Sequence, residues 1–441
     1  MPFTEQNSVE NFVIHLLTSI NLNSVREDIS SEPMAPYNIG GWKYIPADLL
    51  TRETSDIMLE KELRDSLIRL NPDIASHTER ADEVIHKLRA IILTVNNVGL
   101  VRANEEFAKW LRNEETLPFG KNHQHVPVKL IDFENPANNT FILSNQVKIR
   151  AREVKIPDII LYVNGIPLVV GEVKTPVRPS ISWFDGAHDI SEVYENSVPQ
   201  LFVPNVFSFA TEGKEIFIGG VRTPLEFWAP WRIEDDKDEL SHFIGLQDVS
   251  KQLAHLLKPS TILDILQFFT IYATNSKNRK IKVVCRYQQF EGANAIVERV
   301  KDGRVKKGLI WHFQGSGKSL LMLFAAQKLR KQQDLNNPTV MILVDRVDLD
   351  TQISATFNTA EVPNMVTTDS IKELHKLLEQ DSRKIIITMI HKFRDAYPEM
   401  NIRDNVIVMV DEAHRTQEGD LGRRMRNALP NAFLFGLTGT P

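Results

Sequence analysis

The sequence predicts an α/β protein whose second half is a parallel sheet flanked by helices. Three observations predict it. From about residue 280 onward, short apolar runs (LIWHF, VMILVD, KIIITM, VIVMVD, AFLFGL) alternate with helical segments or loops, the pattern of strands joined by crossovers. From about 125 to 230, strand-like runs dominate. From about 5 to 120, apolar residues recur at three- and four-residue steps, the period of amphipathic helices.

Taken in order, VENFVIHLLTSI and TSDIMLEKELRDSLIRL read as helices, and the Pro- and Gly-rich SEPMAPYNIGGW between them reads as a loop. The runs VPVKLIDF, NTFILS, VKIR, IPDIILYV and IPLVVGEVK read as strands, ending in the Pro- and Trp-rich LEFWAPWR. EDDKDEL, from Glu234 to Leu240, is a solvated linker. DVSKQLAHLL and STILDILQFFTIYA read as a helical connector, with the aromatics of the latter packing in a core, and NSKNRKIK is a basic loop. The boundaries expected are 1–245, a connector at 246–278, and 279–441.

A chain of 441 residues has room for two or three domains. No stretch approaches the run of about eighteen apolar residues that a membrane helix needs, and MPFTEQNSVENF lacks the basic and apolar regions of a signal peptide. Cys285 is the single cysteine, which excludes an intrachain disulfide and a cysteine-rich metal site. A cytoplasmic protein without membrane contact is expected. With 52 Lys and Arg against 57 Asp and Glu, bulk charge supplies no attraction to nucleic acid, so any DNA surface must be a local basic groove.

GSGKS follows LIWHF and precedes the helical LLMLFAAQKLRKQ, the strand–loop–helix context of a phosphate loop. Gly315, Ser316 and Gly317 let the backbone turn its N–H groups toward phosphates at a helix N-terminus. Lys318 is placed to reach the β- and γ-phosphates, and Ser319 to ligate Mg²⁺. The full pattern begins with a glycine where this chain has His312. VIVMVDEAH ends a buried strand in two carboxylates, with Asp411 suited to the metal and Glu412 to the attacking water. ATP with Mg²⁺ is the expected ligand. The histidines, His414 included, show no zinc spacing.

Upstream, KIPDIILYVNGIPLVVGEVK holds Asp158, Glu172 and Lys174 around a hairpin signal at Asn164-Gly165. With a two-residue loop and no irregularity, Asp158 would pair with Gly171 and face away from Glu172. A three-residue loop, Val163 to Gly165, would pair Asp158 with Val170 and set all three residues on one face. An odd loop or an equivalent bulge is therefore predicted. Two carboxylates on one face suit Mg²⁺, with Lys174 orienting water or neutralising developing charge. The flanks are apolar on both faces and read as interior strands, where unpaired charges are costly.

Gln288, GSGKS, DEAH and TGTP, in that order, resemble the first motor lobe of a superfamily 2 helicase or translocase. RYQQFEGANAIVERV, GLIWHFQGSGKSLLM, NPTVMILVDRVDLDTQI, VDEAHRTQEGD and NAFLFGLTGTP resemble more closely the motor (restriction) subunit of type I restriction-modification enzymes, in which His312 is itself typical. PDIILYVNGIPLVVGEVK and VPQLFVPN are similar to that subunit's PD-(D/E)xK nuclease core. The resemblance implies a nuclease domain of mixed sheet and helices at 1–245, followed by a RecA-like lobe. It implies metal-dependent cleavage of double-stranded DNA by Asp158, Glu172 and Lys174, and ATP-driven translocation. It implies that Gln288 contacts adenine, that Asp345 and Arg346 lie near the DNA track, and that Thr438 and Thr440 couple hydrolysis to DNA contact. It implies methylation and specificity subunits as partners. The family often carries a Gln and a Tyr four residues apart after the Lys. Tyr194 matches the Tyr, but Ile190 stands where the Gln would be, so a packed aromatic stays an equal reading. Glu10, on an early helix, is a further candidate acid. Because the chain stops at Pro441, the last residue of TGTP, a truncated chain lacking a second motor lobe is expected. Two other readings stay open: a standalone helicase-nuclease of repair or phage defence, and a DNA-binding scaffold with a decayed nuclease.

Overall fold

The computed structural model describes residues 9–22, 41–175, 180–233, 246–275, 277–313, 315–344, 364–380, 382–411 and 420–439. The chain divides into two compact units, residues 1–267 with 281–284, and 268–280 with 285–441. No helix among the described residues is long and apolar enough to cross a membrane.

The first unit carries helices α1 (Asn11–Thr18), α2 (Glu60–Leu70), α3 (Glu79–Val98) and α4 (Leu100–Leu111), and a seven-stranded sheet. The strands are β1 (Lys43–Tyr44), β2 (Phe141–Asn145), β3 (Ile159–Val163), β4 (Ile166–Val173), β5 (Phe207–Thr211), β6 (Ile216–Gly219) and β7 (Ala229–Pro230), in that spatial order. The pairs β1–β2 and β4–β5 are parallel and the others antiparallel, so the sheet is mixed. Every residue of β3 and β4 is buried, as flanks apolar on both faces require.

The β3–β4 turn departs from the loop predicted. It has two residues, with Asn164 at φ 50° and Gly165 at φ 81°, the pair of positive φ values that a tight hairpin of type I′ uses. The odd residue is Leu168, because Leu161 pairs with Val169 while Tyr162 pairs with Pro167. Pro167 has no N–H to give to a ladder, and a bulge beside it is where an inner strand tolerates proline. Ile159 then pairs with Gly171, which sets Asp158 across from Glu172 rather than Val170. The parity argument holds, and the bulge supplies the shift. The turn stays short because it is packed in. A Cβ on Gly165 would lie 2.3 Å from the Leu59 carbonyl oxygen and 2.8 Å from the Leu63 nitrogen. Asn164 is fully buried and donates to the Leu130 carbonyl and to Asn139 Oδ1, both at 2.8 Å.

Helix α5 (Trp183–His188) begins at Ser182, whose hydroxyl accepts from the Phe184 N–H within a capping box. Gly186 on this helix lies close to β4 and β5, since a Cβ there would touch Ala210 Cβ at 3.3 Å and Glu172 Cγ at 3.4 Å. Farther on, α6 (Leu246–Leu256) and α7 (Pro259–Phe268) match the predicted helices. The run Thr270–Thr274, expected to continue the helix, is instead strand β8. Its Thr-Ile-Tyr-Ala-Thr composition favours an extended chain. The last three residues of the predicted basic loop, Lys280 to Lys282, instead open a strand, β9 (Lys280–Val284).

The second unit contains α8 (Tyr287–Asp302) and α9 (Lys318–Lys331), with strands β10 (Lys307–Trp311), β11 (Thr339–Val344), β12 (Met365–Thr367), β13 (Ile385–Met389), β14 (Val406–Val410) and β15 (Phe433–Thr438). They form one sheet in the order β10-β15-β14-β11-β13-β12, parallel throughout. The predicted alternation is therefore present. Since all strands run the same way, the carboxyl ends of β10, β15 and β14 share one edge, where α/β sheets bind ligands.

Candidate functional site

The hairpin and its neighbours converge on one buried polar cluster. Glu172 is 4% exposed. Its Oε1 accepts from Lys174 Nζ at 3.0 Å and from the Tyr194 hydroxyl at 3.2 Å. Its Oε2 is buried with no hydrogen-bond partner among the described residues. Asp158 Oδ2 accepts from the Val173 N–H at 2.9 Å, and its Oδ1 accepts from Gln146 Nε2 at 2.9 Å. The same Gln146 nitrogen donates to Glu10 Oε2 at 2.9 Å, and Asn145 Nδ2 donates to Glu10 Oε1 at 2.5 Å. Lys174 Nζ also reaches Asp189 Oδ2 at 2.7 Å.

The electrostatics follow from crowding acids in a dry place. Burial, and then the Asp158 charge, push Glu172 up to about 8 against the pull of Lys174. Burial and Asp158 push Glu10 up to about 7, opposed by Asn145 and Gln146. For Lys174, burial works downward, but Glu172 and Asp189 outweigh it and hold the ammonium well above its ordinary value. Burial and then Glu172 push the Tyr194 phenol upward.

Among the described residues, no group of three or more His, Cys, Asp or Glu is arranged to hold a metal unaided. The donor set at Asp158 and Glu172 is all oxygen, carries an unpartnered buried carboxylate oxygen, and strains toward protonation. A divalent cation that keeps several of its own waters fits such a set.

The sequence-predicted trio thus comes together. Tyr194 joins it, so the packed-aromatic reading yields to a polar contact. Glu10 joins through Gln146. Asp189, Gln146 and Asn145 were missed in the sequence. Acids and amides are common, and nothing in local spacing marks these three.

In the second unit, the Gly315–Ser319 loop leaves β10 and enters α9. Gly315 and Gly317 have φ values of 86° and 82°, which glycine adopts without strain. Ser316, Lys318 and Ser319 are buried. A Cβ on Gly317 would lie 2.2 Å from Gln289 Nε2, which donates to the carbonyls of Ser316 and Gly317 at 3.2 and 3.3 Å. The loop is therefore braced by Gln289, next to the residue the sequence singled out. Gln288 is 8% exposed, and its Oε1 and the Ser316 hydroxyl are buried without hydrogen-bond partners among the described residues. A ligand with donor groups fits these unpartnered oxygens. Asp411 is buried just beyond β14, its N–H donating to the Leu343 carbonyl at 2.8 Å. Thr438 ends β15 and is buried. Glu412, His414, Asp345, Arg346 and Thr440 lie outside the described residues.

Comparison with known proteins agrees with this layout. The family description "Type I restriction enzyme R protein N terminus" matches residues 3–227, and "SWI2/SNF2 ATPase" matches residues 288–441. The HindI type I restriction enzyme endonuclease subunit of Haemophilus influenzae is 32% identical over 440 residues, covering 91% of this chain. The putative MjaIXP type I endonuclease subunit of Methanocaldococcus jannaschii is 28% identical over 91% of the chain. The SsaAORF53P type I endonuclease subunit of Staphylococcus saprophyticus is 27% identical over 88%. The chain spans 41% of the length of each of these three relatives. The UvsW helicase from bacteriophage T4 aligns with 38% of this chain and 56% of its own at 18% identity and TM-score 0.26, too slight a likeness to support any argument. A mixed-sheet unit with a buried acid–lysine cluster, a parallel-sheet ATPase region and these matches lead to one conclusion: the chain belongs to the type I restriction enzyme R protein family.

Proposed function

We propose that this chain carries the DNA-cleaving centre and the first motor lobe of a type I restriction subunit. It works in a complex with methylation and specificity subunits, moves along duplex DNA at the expense of ATP, and cuts the duplex with Mg²⁺. The nuclease work belongs to residues 1–245, the lobe to 279–441, and 246–278 connects them.

The observation that carries the reading is the convergence of Asp158, Glu172 and Lys174 on one face, with an unpartnered carboxylate oxygen among them. Asp158 and Glu172 are the residues that would hold Mg²⁺. When bound, the ion lowers the pKa of a coordinated water and offsets charge on the phosphate. Glu10 and Gln146 hold Asp158 in place through the amide bridge. Lys174 offers an ammonium to the phosphate or the attacking water, and its raised pKa keeps it charged at neutral pH. In the lobe, Lys318 reaches the nucleotide phosphates, Ser319 and Asp411 hold their Mg²⁺, Glu412 orients the attacking water, and Gln288 meets the adenine.

The reading is tested by nicking of supercoiled plasmid with Mg²⁺, wild type against Asp158→Ala. The expected result is Mg²⁺-dependent nicking lost in the variant. Equal activity in the two proteins would favour the scaffold alternative and end the nuclease assignment.

A further inference from the structure

Lys174 is gripped from two sides, and the second grip comes from an irregular helix. After α5 the chain tightens no further but widens. Residues Asp189–Tyr194 form a π-helical turn before the α-helix resumes at Glu195. Such turns hydrogen-bond from residue i to i+5 and occur often at functional sites. In an α-helix, residues five apart are turned about 140° from one another, on different faces. Across the π turn, Asp189 and Tyr194 are five apart and yet reach Lys174 and Glu172, two residues apart at the end of β4. Asp189 Oδ2 lies 2.7 Å from Lys174 Nζ, and the Tyr194 hydroxyl lies 3.2 Å from Glu172 Oε1. Ile190 and Ser191, between them, point inward and are buried.

An ammonium has three N–H donors on a flexible stem. Two are committed here, to Glu172 Oε1 at 3.0 Å and to Asp189 at 2.7 Å. Glu172 is an uncertain anchor in a working site, because its carboxylate is also the one a cation would draw on. Asp189 stands on the helix rather than on the hairpin that carries Asp158 and Glu172. We infer that Asp189 is a positioning residue, delivered by the π turn, that holds Lys174 in place while Glu172 serves the metal and leaves the third N–H for a phosphate oxygen. This inference rests on the nuclease reading. The plain alternative is an ion pair of little consequence, since the Asp189 side chain is 37% exposed and such pairs contribute little to stability.

The test uses the 441-residue chain in two measurements. The first is the ¹⁵N-edited NMR signal of the Lys174 ammonium in lysine-labelled protein, without metal or DNA. In wild type its protons should exchange slowly with water, and in Asp189→Ala about tenfold faster or more. The second is single-turnover plasmid nicking with Mg²⁺, alongside DNA affinity measured with Ca²⁺ in its place. Asp189→Ala should nick about 10- to 100-fold more slowly, a loss of the size seen when an outer partner of a metal-site group is removed. DNA affinity and thermal midpoint should be unchanged, and Asp189→Asn, whose amide oxygen still accepts, should recover part of the rate. If Asp189→Ala nicks and exchanges like wild type while Lys174→Ala is inactive, the positioning role is wrong and the nuclease reading survives. If the rate loss travels with lost DNA affinity or a lower midpoint, the role is merely structural. If Lys174→Ala nicks like wild type, the nuclease reading itself has failed.

Discussion

Alanine at position 165 should unfold the first unit early, and the size of the effect can be worked from the turn. Gly165 sits at φ 81°, where a residue with a Cβ pays about 1–2 kcal/mol. The new Cβ would also lie 2.3 Å from the Leu59 carbonyl oxygen and 2.8 Å from the Leu63 nitrogen, both backbone atoms that cannot swing aside. Relief requires moving the start of α2, where the capping Leu59 and Leu63 are fully buried. Forced repacking of that kind costs about 1–3 kcal/mol. It also strains the bond from the Leu59 N–H to the Gly165 carbonyl, now 2.7 Å, worth about 1 kcal/mol. The sum is about 3–6 kcal/mol. Five tryptophans, Trp42, Trp110, Trp183, Trp228 and Trp231, lie in the first unit, and Trp311 lies in the second. Urea unfolding in a Trp311→Phe background therefore reads the first unit alone. Gly99, in the same unit, is the control, at φ 85° with open space where its Cβ would go, so alanine there should cost only the backbone share. A loss below about 1 kcal/mol for Gly165→Ala would refute the claim that this packed turn fixes the hairpin.

Two more outcomes are expected. Lys318→Ala should weaken binding of a fluorescent ATP analogue about 10- to 100-fold, the worth of one charge-assisted contact to phosphate; affinity within twofold of wild type would remove Lys318 from the nucleotide site. Glu195 is 2% exposed, and burial pushes it up to about 8 against the pull of Arg222. Its native pKa exceeds its unfolded one, so the folded state holds the extra proton. Its contribution is then full below about pH 4.5 and is lost as pH rises toward about 8. Glu195→Gln should flatten that part of the stability–pH curve in denaturant titrations, and an unchanged slope would show that Glu195 is not its source.

Periodicity decided much of this protein. Apolar runs buried on both faces had to become inner strands, and β3 and β4 are buried throughout. Alternation of strands and helices had to give a parallel sheet, and GSGKS between a strand and a helix had to become a loop with positive φ at its glycines. Side-chain parity required an irregularity in the hairpin before Asp158 and Glu172 could share a face. These features depend on residues near one another in the chain, where geometry repeats every two or 3.6 residues and can be counted.

Tertiary packing decided the rest. The irregularity became a bulge at Leu168 because the turn itself is wedged against α2. The Glu10 carboxylate reaches the cluster through Gln146, 136 residues away, and no local pattern encodes such a meeting. Asp189 and Tyr194 reach Lys174 and Glu172 at the end of β4 because one helical turn opened to five-residue spacing. Gln289 rather than Gln288 braces the phosphate loop, because adjacent helical residues point about 100° apart and the docking of α8 selects which one faces it. A sequence fixes which faces are apolar, whereas which polar groups meet across those faces depends on how whole elements stack.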